Sequence, residues 1–412
     1  MKKIHGKIMK SITARSLMML MALAGSSYSH AQQATIVVSN PTSTPRTELI
    51  SLNMSEVKAK LGNATPKKGE AYIVKNKRGQ QIGSQITHDG LLLIDANVRP
   101  HGSATYYVSI GKPYQQKVYA TGALYKIRKD DIAWENDRCA YRVYGPTLQK
   151  TGERSFGTDI WVKNTPDTVV YERYIKDMNG NIKGDKMDAK VRDILTSFHL
   201  DHGNGLDPYR VGATLGLGAP SLMVGKNQVL PYCYKDYRIL DNGPLRFTVE
   251  LTYNPSTVGD MKNVVEHRII SLDKGSNFNK MTVWYDGLTT PTDFATGFPI
   301  HEEDTETKTF AKDYVSYADP TDNVEVNNSQ VFVGVLFPEG IDHTYYQLFD
   351  KKHDGATGHA LGLKRGLKNL EKYSYYFGAA WSKYDVRSYA EWQIRIKDYL
   401  DALKNPLQVE VK

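Results

Sequence analysis

The chain of 412 residues has only two cysteines, Cys139 and Cys233, 94 residues apart. That excludes a disulfide scaffold and a paired-cysteine zinc site, and leaves one bridge or two separate thiols open. There is one apolar run of note, 17–24 (LMMLMALA). It is about half of the roughly 20 residues that cross a bilayer, so no membrane span is expected. No Walker loop, GxGxxG after a strand, GxSxG elbow or HExxH pair occurs, which removes the usual signals of nucleotide, esterase and zinc-protease chemistry. Net charge is also scarce once its source is found. Lys+Arg number 53 and Asp+Glu 45, a formal +8, but the first 31 residues hold Lys2, Lys3, Lys7, Lys10 and Arg15 and no acid. The remaining 381 residues stand at 48 against 45, or +3, which gives no reason to invoke nucleic acid or a membrane surface.

The basic stretch up to Arg15, the short apolar run and Ser29-His30-Ala31 together have the layout of a secretory signal peptide at 1–31. The expectation is removal of this leader and export of the mature chain, to a periplasm or beyond the cell. No Cys follows the apolar run, which argues against a lipid anchor.

The mature length exceeds one ordinary core, so a small region and a large one are expected, at 32–115 and 116–412. Tyrosine is the compositional outlier, with 27 copies against 11 Phe and 5 Trp. Tyr offers a flat apolar face with a polar tip, which suits a sugar cleft, but it is also a good strand former. Strand signals dominate. Residues 34–38, 71–74, 91–94 and 105–110 are short β-branched or aromatic runs between turn clusters, with 48–51 and 119–127 similar. They predict a small N-terminal β-sandwich, broken by a helical turn or two at 55–61. Farther on, 140–144, 158–162, 168–174, 245–253, 264–272, 280–285, 331–336 and 373–380 read as longer strands. Residues 388–404 read as a C-terminal helix, with Trp392, Ile396, Tyr399, Leu400 and Leu403 on one face and Asn405-Pro406 as its stop. Strand after strand with few helices predicts a mainly β fold of packed antiparallel sheets.

Chemistry-bearing residues gather in glycine-rich loops. The richest stretch runs from Ser197 to Gly212 (SFHLDHGNGLDPYRVG) and holds His199, His202, Asp207, Tyr209 and Arg210. Glycine lets backbone approach a ligand closely, and imidazole transfers protons near neutral pH or binds a divalent metal. A solvated loop whose His and Asp cap turns is the plain alternative. A second cluster holds Arg138, Arg142 and Tyr144. The two arginines suit a carboxylate, or pair structurally with Glu135 and Asp137. A third holds Tyr232, Tyr234 and Arg246, with a Tyr as acid or base or simply as packing. His301, beside Glu302, Glu303 and Asp304, and His359, between Gly358 and Gly362, are weaker candidates.

These clusters lie within longer stretches that resemble a known family. WEND at 134–137, YRVYG at 141–145, GLDPYRVGATLGLGAPSL at 205–222, PYCYKDYRILDNGPLRFTVELTYNP at 231–255 and GAAWSK at 378–383 are similar to the domain of unknown function 4861 family, over about 120–405. The resemblance implies an exported, carbohydrate-active protein of Bacteroidota polysaccharide-utilisation gene sets. It further implies action on uronic acids, with an oligosaccharide dehydratase activity in ulvan breakdown. The strand pairs also resemble the β-supersandwich of mutarotase-like and lyase proteins.

The resemblance implies elimination at a non-reducing-end uronic acid of an oligosaccharide, and the residue clusters are consistent with it. A base removes the C5 proton, a cation neutralises the adjacent carboxylate, and an acid protonates the oxygen leaving C4. The expected acid/base groups are His199, His202, Tyr232 and Tyr234. Expected substrate contacts are Arg138, Arg142, Tyr144, Tyr209, Arg210, Arg246 and His359, and a divalent metal would fall to His301 and Asp207. Loss of a hydroxyl makes a dehydratase, and loss of a glycosidic oxygen makes a polysaccharide lyase. A glycoside hydrolase using two carboxylates and a non-catalytic sugar-binding protein remain the alternatives.

Overall fold

The computed structural model describes residues 32–180, 188–230, 232–302, 306–320 and 328–412. The expected leader at 1–31, and Pro231, Glu303 and Asp304, lie outside the described residues.

Side-chain alternation builds the largest sheet. Along Arg246–Tyr253, Phe247, Val249, Leu251 and Tyr253 enter the core while Arg246, Glu250 and Thr252 stay half-exposed. Met261–Asp273 repeats the pattern with Val264, Ile270 and Leu272 inward. A period of two gives each strand one apolar face, and the faces align when strands pair. The order across this sheet is Tyr234–Asn242, Arg246–Tyr253, Met261–Asp273, Phe278–Asp286, Tyr373–Trp381, Val331–Leu336, Tyr314–Asp319 and Lys308–Phe310, with Ser256–Val258 beside Met261–Asp273. All its pairings are antiparallel.

Two five-stranded sheets form the opposing layer. One comprises Thr121–Tyr125, Asp131–Glu135, Cys139–Val143, Asp159–Lys163 and Gly205–Leu206. The other comprises Asn227–Val229, Pro220–Val224, Thr292–Ile300, Ala356–Leu367 and His343–His353. A bridge between Thr158 and Gly216 joins them. Aromatic pairs fill the space between the layers: Trp134 stacks on Phe247 at 6.2 Å, and Tyr141 meets Phe377 edge-on at 5.8 Å. Their polar tips are satisfied, with Trp134 Nε1 donating to Asn279 Oδ1 at 2.7 Å and Tyr141 to the Asn277 carbonyl at 2.8 Å. The expected antiparallel β-sandwich is thus what the chain forms.

Helix Tyr389–Lys404 covers the other face of the large sheet. Ser388 caps it by accepting the Glu391 N–H at 3.3 Å, and Trp392, Ile396 and Leu400 pack on Phe332, Leu336 and Ala380. Trp392 is fully buried, so its truncation to Ala costs about 3–5 kcal/mol.

The N-terminal strands build a separate core around Ile36, Val38, Leu92, Ile94 and Val108. A four-stranded sheet (Gln408–Val411, Ala34–Ser39, Ser103–Gly111, Ala71–Asn76) encloses it with a three-stranded one (Arg46–Asn53, Leu91–Val98, Ser84–Ile86). The C-terminal strand Gln408–Val411 in that sheet was not foreseen.

One expected strand is a helix. Residues 168–174 carry β-branched Thr168, Val169 and Val170, yet the helix Val170–Gly180 starts there. Glu135, from a neighbouring strand, accepts the N–H groups of Val169 and Val170 at 2.9 Å and fixes the helix start. No local signal carries a cap that comes from 34 residues away. Cys139 and Cys233 are separate buried thiols, and burial pushes Cys139 up to about 12. Among the described residues, no helix is long and apolar enough to cross a membrane.

Candidate active site

The strand Cys139–Val143 sends Cys139, Tyr141 and Val143 into the sandwich and turns Ala140 and Arg142 to the opposite face. On that same face its neighbours place Asp131, Ala133 and Glu135, and Asp159, Trp161 and Lys163, as the period of two requires. Tyr174, from the helix Val170–Gly180, and Phe198, from the loop that follows helix Ala189–Thr196, cover it against Ala133, Ala140 and Trp161. A sheet face this polar survives burial only if its charges pair. Lys163 Nζ meets Glu135 at 2.7 Å and the Asn136 carbonyl at 2.6 Å.

Arg142 is the centre of the second group. Its Nη2 donates to Asp207 Oδ2 at 2.8 Å and to Asp159 Oδ2, and its Nη1 to Asp131 Oδ2 at 3.4 Å. The guanidinium lies 4.9 Å from the Tyr144 ring, 5.2 Å from Trp161 and 5.7 Å from Phe198. Burial opposes its charge, but Asp159, Tyr144 and Asp207 overcome this and hold its pKa well above the ordinary arginine value. Burial raises the Asp131 carboxyl despite Arg142 and Arg128. Three carboxylates around one cation is a strongly constrained, water-poor arrangement.

At the rim of this group the side chains become accessible. His199 exposes 59% of its side chain, and its Nδ1 lies 3.0 Å from the Asp207 carbonyl. A carbonyl only accepts, so Nδ1 carries the proton and Nε2 is the basic nitrogen, turned to a single role by the backbone. Tyr144 is half-buried with its hydroxyl 3.5 Å from Arg142 Nη2. Burial, then Asp159, push its phenol well above the usual tyrosine value, so it holds its proton. Arg128 ends a single 3-10 turn, Lys126–Arg128, that is followed by Lys129 and Asp130 at positive φ. Its guanidinium sits 5.6 Å from the Phe198 ring, and it makes no ion pair among the described residues. A base, a proton donor and a half-buried cation therefore each border this group, His199 and Arg128 at Phe198 and Tyr144 at Arg142.

The segment from Gly205 onward continues past this group to further polar centres. Gly205, at φ +99°, comes so close to the Val162 carbonyl that a Cβ would lie 2.1 Å from the oxygen. Tyr209 is buried, and its hydroxyl has no partner among the described residues. Burial, with Asp319 and Asp159, raises its phenol well above the usual value. Its ring meets His301 edge-on at 6.0 Å. His301 Nδ1 lies 2.9 Å from Asp319 and Nε2 3.0 Å from the Arg210 carbonyl. Both partners only accept, so both ring nitrogens donate and His301 is an imidazolium. Burial opposes that charge and Asp319 outweighs it, raising the pKa. Farther along, the Leu215 N–H donates to Nε2 of buried His359 at 3.2 Å. Burial, assisted by His301 and His353, pushes His359 down to about 3, so it is neutral.

Of the candidates read from the sequence, the fold brings together His199, Asp207, Arg142 and Tyr144, with Tyr209 and Arg210 following along the same segment and His301 meeting them from the end of the strand Thr292–Ile300. His202 is exposed nearby, with Nε2 2.8 Å from the Ser197 carbonyl. The others are engaged with different partners. Tyr234 is buried and donates to the Asp130 carbonyl at 2.6 Å, while Tyr232 is half in solvent. Arg138 pairs with Asp385 and Arg246 with Asp273, at 2.5 and 2.8 Å for the latter. Among the described residues no three His, Cys, Asp or Glu side chains converge to hold a metal ion, and Glu303 and Asp304 beside His301 lie outside the described residues. Arg128, Asp131, Asp159 and Asp319 were not singled out from the sequence. Arg128 lies just past the strand-like run expected at 119–127, and the three aspartates acquire meaning only through pairing across strands.

A family model described as "Domain of unknown function (DUF4861)" matches residues 38–409. A protein of Formosa agariphila described as "Uncharacterized protein P7" is 26% identical over 336 residues, 78% of each chain. Among solved structures, an alpha-mannosidase from Enterococcus faecalis V583 aligns with TM-score 0.47 and 9% identity, over 92% of this chain and 46% of its own. A glycosyl hydrolase family 38 protein from the same species aligns with TM-score 0.49 and 10% identity, over 92% and 47%. YidC from Thermotoga maritima aligns with TM-score 0.32 and 10% identity, over 69% and 56%. The chain spans about half the length of these solved chains.

Proposed function

The chain belongs to the domain of unknown function 4861 family, and on that footing we propose that it is an exported carbohydrate-active lyase that eliminates water from a uronic acid at the non-reducing end of an oligosaccharide, of the kind ulvan breakdown supplies. The observation that carries this is that His199, Tyr144 and Arg128 each border the Arg142 group. The C5 proton of a uronate is weakly acidic, because the neighbouring carboxylate takes up the charge as the proton leaves. Arg128 pairs with that carboxylate and lowers the barrier where the charge develops. His199 Nε2 takes the proton, its tautomer set by the Asp207 carbonyl. Tyr144, held protonated, gives its proton to the C4 oxygen, and water departs as the C4–C5 double bond forms. His199 then releases its proton to solvent and Tyr144 regains one. Arg142 and its three aspartates keep Tyr144 and the Asp207 carbonyl in place. His202 and Arg210 flank the rim as further substrate contacts.

Hydrolysis needs two carboxylates facing the bond, about 5–10 Å apart. Asp131, Asp159 and Asp207 are buried and engaged with Arg142, which favours elimination over hydrolysis. The test is mass analysis of products from oligosaccharides of several uronic-acid polysaccharides. Loss of one water with the chain length kept supports the dehydratase. Shorter chains with an unsaturated end mean a polysaccharide lyase, shorter saturated chains a hydrolase, and no change a binding protein. His199→Ala and Tyr144→Phe should each lower turnover by about 10²–10⁴-fold. Full turnover in both would refute the assignment.

A further inference from the structure

Away from this rim, the open end of the N-terminal sandwich holds a cleft of about 360 Å³. It lies between two edge strands, Ala71–Asn76 of the four-stranded sheet and Ser84–Ile86 of the three-stranded one. Pro66, Tyr72, Gln81, Ile82, Tyr114 and Gln116 line it. Its walls are pinned by amides. Gln81 accepts the Tyr114 N–H at 3.1 Å and donates to the Lys112 carbonyl at 3.0 Å. Gln116 accepts the Ser84 N–H at 2.9 Å and donates to its carbonyl at 3.0 Å. Tyr72 is held by a 2.8 Å bond to the Ala64 carbonyl, and Tyr114 is 44% exposed. The cleft is therefore preformed, with the Tyr114 ring on show and Tyr72 packed against the core, and its size is that of a small-ligand site.

Cations outnumber acids in the segment that builds it, with Glu70 and Asp95 as the neighbouring carboxylates. Residues 54–117 carry ten Lys or Arg against four Asp or Glu, a balance of +6, whereas the whole chain after residue 31 is only +3. All of the mature chain's positive surplus is thus in this segment, and the rest is net negative. Lys58 lies 5.9 Å from the Tyr72 ring centroid. Lys67, Lys68 and Lys112 are exposed and adjoin the lining residues, and Glu70, whose carboxylate takes the Lys67 N–H, is the acid nearest in sequence. Just beyond Tyr114, Tyr119 lies between Lys117 and Lys274, at 5.3 and 4.6 Å from its ring centroid, and these two lysines are already paired with Asp167 and Asp95.

The geometry points to this cleft as an accessory binding site for an anionic polysaccharide chain, with a sugar ring stacked on Tyr114 and carboxylate or sulfate groups beside Lys67, Lys68 and Lys112. Stacking needs flat, fixed rings, and acidic substituents need the surrounding cations. The site rests on the proposed function only for the expectation that the polymer is a uronate. Elimination does not require it, since it belongs to a different core from His199 and Tyr144. Its role is to hold long substrate near the enzyme.

The test is affinity electrophoresis of the mature protein in native gels. The gels contain a polyuronate, a sulfated polysaccharide or a neutral glucan, and turnover of a short oligosaccharide is measured in parallel. Retardation by an anionic polymer, weakening as salt is raised, is expected, and the two anionic gels tell carboxylate from sulfate. Tyr114→Ala should weaken retardation about 3- to 10-fold. Lys67→Gln with Lys68→Gln should weaken it and flatten its salt dependence. Both variants should keep short-substrate turnover. Absence of retardation in both anionic gels overturns the site, as does retardation that neither variant changes, or equal retardation by the neutral glucan. Turnover reports on the elimination reaction separately, so failure of one leaves the other readable.

Discussion

Replacing Arg142 by Met removes the one cation that Asp131, Asp159 and Asp207 share, while keeping most of the packing against Tyr144, Trp161 and Phe198. All three aspartates are buried, so they cannot recruit solvent in its place. Breaking a buried pair from one side typically costs about 3–5 kcal/mol, and here more than one carboxylate loses its partner, so the upper part of that range is expected near neutral pH. The deficit should depend on pH in a definite direction. Burial already holds the Asp131 carboxyl above its ordinary value with Arg142 present, and losing Arg142 raises it further. A carboxyl raised in the fold makes the native state bind protons more readily than the unfolded one. Its destabilising effect is therefore full above the folded pKa and is relieved as pH falls toward the unfolded value. Each such group returns about 1.4 kcal/mol per pH unit across that interval. Urea denaturation of wild type and Arg142→Met between about pH 5 and about pH 8 should show a gap that narrows on acidification. Adding Asp159→Asn should recover part of it at neutral pH. A deficit of the same size at every pH, or none, would refute the charge account of this cluster.

His301 predicts the opposite pH signature. Its pKa is raised in the fold, so the stability it contributes is full below the unfolded value, about 6.5, and is lost as pH rises through the folded value. Thermal midpoints should fall across that window in wild type, and His301→Phe should remove that part of the slope. His359, pushed down to about 3, contributes stability that is lost as pH falls from about 6.5 toward about 3. His359→Gln keeps an acceptor for the Leu215 N–H and should move acid unfolding, followed by circular dichroism, to lower pH.

How far the sequence could be read depended on whether the physics was local. Arg246–Tyr253 alternates with solvent on one side and core on the other, and Ser388 to Lys404 carries its own cap and stripe. Those elements could be drawn from residue order alone. The helix start at Val170 could not, because its anchor is Glu135. The rim was half legible. His199, Arg142, Tyr144 and Asp207 stood out by chemical type within glycine-rich segments. Their sorting into accessible and buried groups depended on Asp131 and Asp159, which alternate on neighbouring strands, and on Phe198. Arg128 had no local mark at all. It gains its place from a short turn that sets it over Phe198.

The strand Gln408–Val411, paired with Ala34–Ser39, also bears on the order of events in folding. The first strand of the described fold borders one whose codons are read after those of nearly everything else. On the ribosome, the N-terminal sheet must therefore wait with one edge open until almost the entire chain has emerged. Such non-local closure is slow, and it delays completion of the first core until after the second. The same pairing then acts as a clasp that shuts the N-terminal sheet once the far end arrives.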